Sequence, residues 1–301
     1  MKIAISGLGK MGAQIAKKLY ESSVDVIAHN RSKEKVDEMV ALGMKGAYSK
    51  NEVIDSFNGD RVMIWMMVPA DVVDSEIEEW IKIIPKNSIL IDGGNSDYRL
   101  TKKRAILVSE NGSVLMDVGT SGGIWGYENG FSMMTGGDSS IFEIIKPILQ
   151  ILEKPNGAHE YFGEAGSGHY VKMTHNAIEY GMMESIAEGY RLLKEGPYKN
   201  IDLIKAGEVW QHRSVITSWL NELTLNALKE NVKAEGVDGV VVESGETRFA
   251  LETAKEFNIE TPSIQASFDV RLASQKGNVN FTTKLLCLMR NAFGGHKING
   301  K

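Results

Sequence analysis

A short apolar strand, Lys2 to Ser6, runs straight into Gly7-Leu8-Gly9-Lys10-Met11-Gly12 and then into a helical stretch, Ala13 to Tyr20. Glycine at the first place permits a tight turn from strand to helix. Glycine at the third lets the backbone approach a pyrophosphate, and glycine at the sixth lets the helix lie close on the strand. The helix amino terminus adds free N–H groups and a dipole that favours phosphate. G-x-G-x-x-G alone is a weak signal, since a glycine turn without a ligand meets the same spacing. Between a strand and a helix, with a second strand from Val24 to His29, it predicts a dinucleotide site made by Gly7, Leu8, Gly9, Lys10, Met11 and Gly12.

The end of the second strand bears on which dinucleotide fits. An NAD site usually carries Asp or Glu there to hold the ribose hydroxyls. This chain has Asn30-Arg31-Ser32, and Asp25 comes too early. An amide, a guanidinium and a hydroxyl suit a phosphate dianion, which favours NADP over NAD. Arg31 as a plain surface arginine, or stacked on adenine, is the competing reading.

Strands and helices alternate through the first half. Apolar strands fall at 61–68, 88–92 and 113–118, with helical patterns at 33–42, 72–84 and 100–110. That alternation predicts a mainly parallel sheet with helices on both faces, and ligands beyond the carboxyl ends of its strands. Val68-Pro69-Ala70, Asp92-Gly93-Gly94-Asn95-Ser96 and Gly119-Thr120-Ser121-Gly122-Gly123 all fall at such ends. The sheet pattern continues through 131–135 and ends near Phe162. After Gly166 the chain turns helical, at 167–195, 201–207, 214–230, 247–257, 263–275 and 280–292; the strand-like run 237–243 reads as a loop. The expected organisation is an α/β Rossmann-type amino-terminal domain, 1–164, followed by an all-α substrate and oligomerisation domain, 165–301.

A chain of 301 residues accommodates two such domains. Its net charge of −5 gives no reason to expect nucleic-acid binding. The single cysteine, Cys287, excludes an intramolecular disulfide and reads as a core residue. No apolar run reaches membrane-spanning length, and residue 1 leads directly into a strand. A cytoplasmic enzyme without a membrane association is expected.

Lys172-Met-Thr-His-Asn-Ala-Ile-Glu-Tyr-Gly181 lies in the proline-free stretch from Ser167 to Gly196. At about 100° per residue, Lys172, His175, Asn176 and Glu179 share one side of a helix. A solvated polar face is the ordinary reading of such a stripe. Here Val171, Met173, Ile178, Met182, Met183 and Ile186 crowd the same helix, so burial is expected, and a buried Lys and Glu must be paired or functional.

Gly163-x-x-Gly166-x-Gly168-x-x-x-Lys172 is completed by Asn176, followed by Ile178-Glu179-Tyr180-Gly181; upstream lie Asp92-Gly-Gly-Asn-Ser and Ser121-Gly-Gly, and at the tail Arg290-Asn-Ala-Phe-Gly-Gly-His296. With these motifs the whole chain resembles a 6-phosphogluconate dehydrogenase of the short bacterial type, within the β-hydroxyacid dehydrogenase superfamily. The resemblance implies oxidation of 6-phosphogluconate at carbon 3, then decarboxylation and protonation to ribulose 5-phosphate. It implies Lys172 as base and acid and Glu179 as the acid that protonates the enediol. His175 and Asn176 would orient hydroxyls, and Ser121, Gly122 and Gly123 the carboxylate. Val68, Pro69 and Asn95 would lie at the nicotinamide, Asn95 touching substrate too. Tyr180, Arg248, Arg271 and Arg290 would hold the phosphate, and His296 would reach the substrate site. Arg290 and His296 would come from a neighbouring subunit of a homodimer or homotetramer, and no metal is needed.

Two departures stand out. Short members commonly have Gly-Glu-Gly-Arg-Trp-Thr where this chain has Gly245-Glu246-Thr247-Arg248-Phe249-Ala250, so Ala250 cannot donate the threonine's hydrogen bond. Short members are also often NAD enzymes, whereas Asn30-Arg31-Ser32 resembles the pocket of long NADP enzymes. The alternatives are another β-hydroxyacid dehydrogenase, for 3-hydroxyisobutyrate or unphosphorylated gluconate, and a non-enzymatic dinucleotide sensor. The first would not need His175, Glu179 and Arg290 together; the last would not need Lys172 and Glu179.

Overall fold

The computed structural model describes residues 1–298. The chain divides into two compact units, Met1–Met173 and Thr174 onward. In chain order the first runs β1 (Lys2–Ser6), α1 (Lys10–Glu21), β2 (Asp25–His29), α2 (Lys33–Ala41), β3 (Lys45–Ala47), α3 (Lys50–Asp55), β4 (Met63–Met66), α4 (Val73–Trp80), β5 (Ile89–Asp92), α5 (Tyr98–Glu110), β6 (Val114–Ser121), α6 (Gly126–Asn129), β7 (Ser132–Gly136), α7 (Ser139–Leu152) and β8 (Ala158–Gly163). The eight strands form one sheet in the order β3-β2-β1-β4-β5-β6-β7-β8. Every pairing is parallel except β6 with β7, which is antiparallel. The order reverses beside β1, between β2 and β4, where the crevice of a doubly wound sheet opens.

Side chains alternate across each central strand, and both faces are covered. Ile3 and Ile5, Met63 and Trp65, and Ile89 and Ile91 join one core with α1 and α7. Their neighbours Ala4, Ile64, Met66 and Leu90 join the other, with Val73, Ile77 and Trp80 of α4. Each fully buried Ile or Leu contributes about 1.5–3 kcal/mol, so this two-sided burial dominates the unit's stability.

The sequence reading named no helix at α7. Its Ile-rich run and Pro147 conceal a clear amphipathic pattern: Ile141, Phe142, Ile145, Ile148, Leu149 and Leu152 are buried. Asp138 caps it, accepting from the backbone N–H groups of Ser140 and Ile141. The short elements β3, α3 and α6 were not expected either.

The long helix α8 (Ser167–Glu195) crosses from the first unit into the second. The second unit continues with α9 (Leu203–Gln211), α10 (Trp219–Glu230), α11 (Glu246–Glu256), α12 (Pro262–Gln275) and α13 (Phe281–Gly294). Met183, Ala187 and Tyr190 of α8 pack with Leu203, Leu220, Leu228, Leu285, Leu286 and Met289. The segment 237–243 carries no strand. α13 starts on a reciprocal capping box between Asn280 and Thr283. Among the described residues, no helix is long and apolar enough to cross a membrane.

Two expectations need correction. α8 is not buried all round: Ile178 and Met182 are exposed, while Lys172, Met173, Asn176, Ala177 and Tyr180 are buried. Its apolar residues thus divide between core and surface. Arg290 belongs to the last helix, expected at 280–292, and not to the Gly-rich tail in which it was grouped with His296. It is a buried residue of α13, which continues to Gly294, so the tail starts only at Gly295.

Candidate active site

The β1–α1 turn has the shape a dinucleotide requires. Gly7 sits at φ +103°, where a side chain would strike the Met67 carbonyl. A Cβ on Gly12 would strike the carbonyl oxygen of Gly7, so α1 can lie this close to β1 only with glycine there. Nothing stands near the position a Gly9 Cβ would take, which leaves its backbone open to a ligand. Gly9 is also the N-cap of α1 and has no side chain to occupy the first N–H groups. Leu8 is buried, Lys10 exposed and Met11 half-buried.

At the end of β2, the Asn30 amide is already engaged. Its Oδ1 accepts from the Leu8 N–H at 2.9 Å, and its Nδ2 donates to the Ser32 carbonyl at 3.3 Å. The Ser32 hydroxyl donates to Glu34 at 2.7 Å, a contact that holds the Glu34 carboxyl below its ordinary range. Asn30 therefore shapes the glycine loop, and Arg31, fully on the surface, is the cation left facing outward.

Three further strand ends share this edge of the sheet, because β1, β4, β5 and β6 run parallel. Val68 and Pro69 follow β4. After β5, the buried Asp92 accepts from the Gly94 N–H and the Ser96 hydroxyl, at 3.1 and 2.6 Å, folding the loop so that Asn95 is exposed. Ser121 closes β6, and Gly122 and Gly123 follow with φ +129° and +54°.

The start of α8 is fastened to this sheet by a residue the sequence reading missed. Asp117 of β6, fully buried, accepts from the Gly166 and His169 N–H groups at 2.8 and 2.9 Å. A carboxylate at a helix amino terminus meets both the unpaired donors and the dipole. His169 adds contacts with Thr101 at 2.8 Å and the Asp92 carbonyl at 3.2 Å. Lys172, one turn further, is 6% exposed, with its Cβ and Cγ against Gly119.

In the second unit, α8 carries His175, Asn176, Glu179 and Tyr180. His175 Nδ1 lies 2.9 Å from Asn176 Oδ1 and 3.9 Å from Glu179 Oε2. Asn176 Nδ2 donates to Glu246 Oε1 at 3.3 Å. The Tyr180 hydroxyl lies 3.1 Å from Ser244 Oγ, and the Arg271 guanidinium stacks 3.1 Å from the Tyr180 ring centre. Arg271 is 1% exposed, and burial lowers its pKa, opposed by Tyr180 and Glu179 and reinforced by Arg290. Arg248 is half exposed and pairs with Glu243 at 3.0 Å. His296 is exposed just beyond α13, its carbonyl accepting from Asn291. Arg271 and Tyr180 are thus brought together with this chain's own Arg290, where a neighbouring subunit's was expected, while Arg248 and His296 face solvent. Cys287 is buried, and burial pushes its thiol up to about 11, as suits a core residue. Among the described residues no cluster of His, Cys, Asp or Glu is placed to hold a metal.

A Rossmann sheet with this glycine turn, joined to a helical unit by a helix bearing Lys172 and Asn176, defines a nicotinamide-dinucleotide dehydrogenase. Comparison with known proteins narrows the class. Residues 2–162 match the NAD-binding domain of 6-phosphogluconate dehydrogenase, and residues 168–299 match that enzyme's C-terminal domain. The chain belongs to the 6-phosphogluconate dehydrogenase family. It is 33% identical to the NAD(+)-dependent, decarboxylating 6-phosphogluconate dehydrogenase of Haloferax volcanii, covering 100% of this chain and 99% of that one. It is 38% identical, over all of both chains, to the Bacillus subtilis protein YqeC, which provisionally bears the same enzyme name. The solved 6-phosphogluconate dehydrogenase of Plasmodium falciparum superposes with a TM-score of 0.83 at 25% identity, over 97% of this chain and 70% of that longer one.

Proposed function

We propose that this chain oxidises and decarboxylates 6-phospho-D-gluconate to D-ribulose 5-phosphate and carbon dioxide, reducing NADP in preference to NAD. The observation that carries the reading is the pair Lys172 and Asn176, both buried and one turn apart on a helix anchored by Asp117. Buried charged and amide groups on one helix face are costly to desolvate, which supports a functional role for this pair.

The bound dinucleotide supplies one thing, an acceptor for the hydride leaving carbon 3. Gly7 to Gly12 would hold its pyrophosphate, Arg31 its 2′-phosphate, and Val68, Pro69 and Asn95 its nicotinamide. Lys172 takes the proton of the carbon 3 hydroxyl. The product is a β-keto acid, and Lys172 returns its proton to the new carbonyl oxygen as the carboxylate leaves. Glu179 then protonates the enediol carbon that bore the carboxylate, while Lys172 takes back the proton of the neighbouring carbon's hydroxyl to leave the ketone. His175 and Asn176 hold the hydroxyls, and Ser121, Gly122 and Gly123 the carboxylate. Arg248 makes the first phosphate contact from its exposed position, with Tyr180, Arg271 and Arg290 completing the set, and His296 reaches the substrate site.

The enzyme acts as a homo-oligomer in the cytoplasm, without nucleic-acid or membrane partners. The exposed Ile178, Met182 and Leu192 on one side of α8 support the self-association.

Lys172→Met tests the reading. Turnover is expected to fall at least about a hundredfold, with much smaller change in binding of 6-phosphogluconate, the usual result of losing a general base or acid. Near-normal turnover in the variant contradicts the assignment.

A further inference from the structure

The mechanism above does not use the buried carboxylate of Glu246. Glu246 opens α11, 5% exposed, directly after Gly245 at φ +98°. One oxygen accepts from the Asn176 amide nitrogen; the other, Oε2, is buried with no hydrogen-bond partner. A carboxylate at a helix amino terminus is favoured by the dipole, which explains how it stays there but not why it points at Asn176.

We propose that Glu246 is a positioning residue for the sugar-acid site: it holds the Asn176 amide in one orientation and, through it, His175 as the tautomer with its proton on Nδ1. The inference rests on the reading that His175 and Asn176 orient substrate hydroxyls. An ionised carboxylate only accepts hydrogen bonds. The Asn176 atom 3.3 Å from Glu246 Oε1 must therefore be the NH₂ group. A flipped amide would set oxygen against oxygen at a place where Asn176 is 8% exposed and water cannot easily intervene. With the NH₂ fixed on Glu246, Oδ1 faces His175 Nδ1 at 2.9 Å. An oxygen there accepts only if Nδ1 carries a hydrogen. Glu179 Oε2, 3.9 Å from the same nitrogen, favours that proton as well. A neutral His175 then has its lone pair on Nε2, able to accept from a substrate hydroxyl. One acidic side chain, 70 residues downstream, thus decides which imidazole nitrogen is the acceptor.

Two measurements test this. Nitrogen-15 NMR of imidazole-labelled enzyme, with the His175 signals assigned by their loss in His175→Gln, reads the tautomer without substrate. The wild type is expected to show His175 with Nδ1 protonated and Nε2 bare. In Glu246→Met the two tautomers are expected to mix. The ratio kcat/KM for 6-phosphogluconate should fall about tenfold to a hundredfold, the scale of a misplaced reacting group, while KM for the dinucleotide stays unchanged. Glu246→Gln keeps an accepting oxygen and should restore most of both properties. A wild-type His175 protonated on Nε2 overturns the proposal whether or not any variant folds. So does a Glu246→Met enzyme with the wild-type tautomer, or with unchanged kcat/KM. Failure of the wild type to oxidise 6-phosphogluconate at all would instead remove the functional reading, leaving the tautomer result standing on its own.

Discussion

Glu184 shows how much a single buried group can matter apart from catalysis. It lies on α8, 6% exposed, and neither carboxylate oxygen has a hydrogen-bond partner. Burial, with the Glu188 carboxylate adding to it and Arg271 opposing, pushes its pKa from 4.5 up to about 7. The native state therefore keeps this proton to higher pH than the unfolded chain does. Stability is undiminished below about pH 4.5 and falls as pH rises toward 7, by at most about 3 kcal/mol. Glu184→Gln is expected to flatten that slope and raise the melting temperature at pH 8, with little change at pH 4.5. A stabilisation equal at both pH values would show that the carboxyl is not protonated in the folded enzyme. Nothing local marks Glu184 in the sequence, where it reads as one more helix glutamate. Asp117 and Glu246 are hidden for a related reason: their partners lie 49 and 70 residues away. Lys172 and Asn176 were legible because both sit on one helix, where spacing alone places them together.

At the scale of elements, regular periodicity was readable and its exceptions were not. The alternation of apolar strands with helical patterns revealed a sheet covered on both faces, and the glycines at 7, 9 and 12 located the tight turn from β1 to α1. α7 escaped because β-branched residues and Pro147 obscure its period, and the antiparallel step between β6 and β7 has no local signature. The β2–α2 connection is where structure most changes the cofactor argument. Asn30 is committed to Leu8, and the Ser32 hydroxyl to Glu34, so in the proposed reading the 2′-phosphate contact falls to Arg31. An exposed guanidinium is screened by salt, which places the expected preference for NADP near about tenfold. Arg31→Ala should abolish most of it. Glu34→Gln should increase it, by removing a negative charge beside the phosphate position. Comparing kcat/KM for the two dinucleotides at saturating 6-phosphogluconate checks both variants. A wild-type enzyme that uses NAD better than NADP would show that Arg31 does not engage the cofactor.

For the molecule as a whole, the unexpected exposure of α8 is informative. Ile178, Met182 and Leu192 are 52%, 44% and 71% exposed along the surface side of a helix whose other side is core. Such a stripe fits association with another copy, as the proposed oligomer requires. Met182→Glu is expected to shift the enzyme toward monomer in sedimentation velocity at micromolar concentration while leaving the fold intact. A wild type that sediments as a monomer would contradict the assembly. Arg290, buried within α13, makes truncation after Met289 a poor probe of the tail, since it would also cut the end of a core helix. The proposed activity depends on coupling between oxidation and carbon loss. With 6-phosphogluconate labelled with carbon-13 at its carboxyl carbon, labelled carbon dioxide and reduced dinucleotide should form in equal amounts, and Lys172→Met should suppress both together. Reduced dinucleotide without labelled carbon dioxide would make this a dehydrogenase that does not decarboxylate, and the mechanism assigned to Lys172 and Glu179 would be wrong.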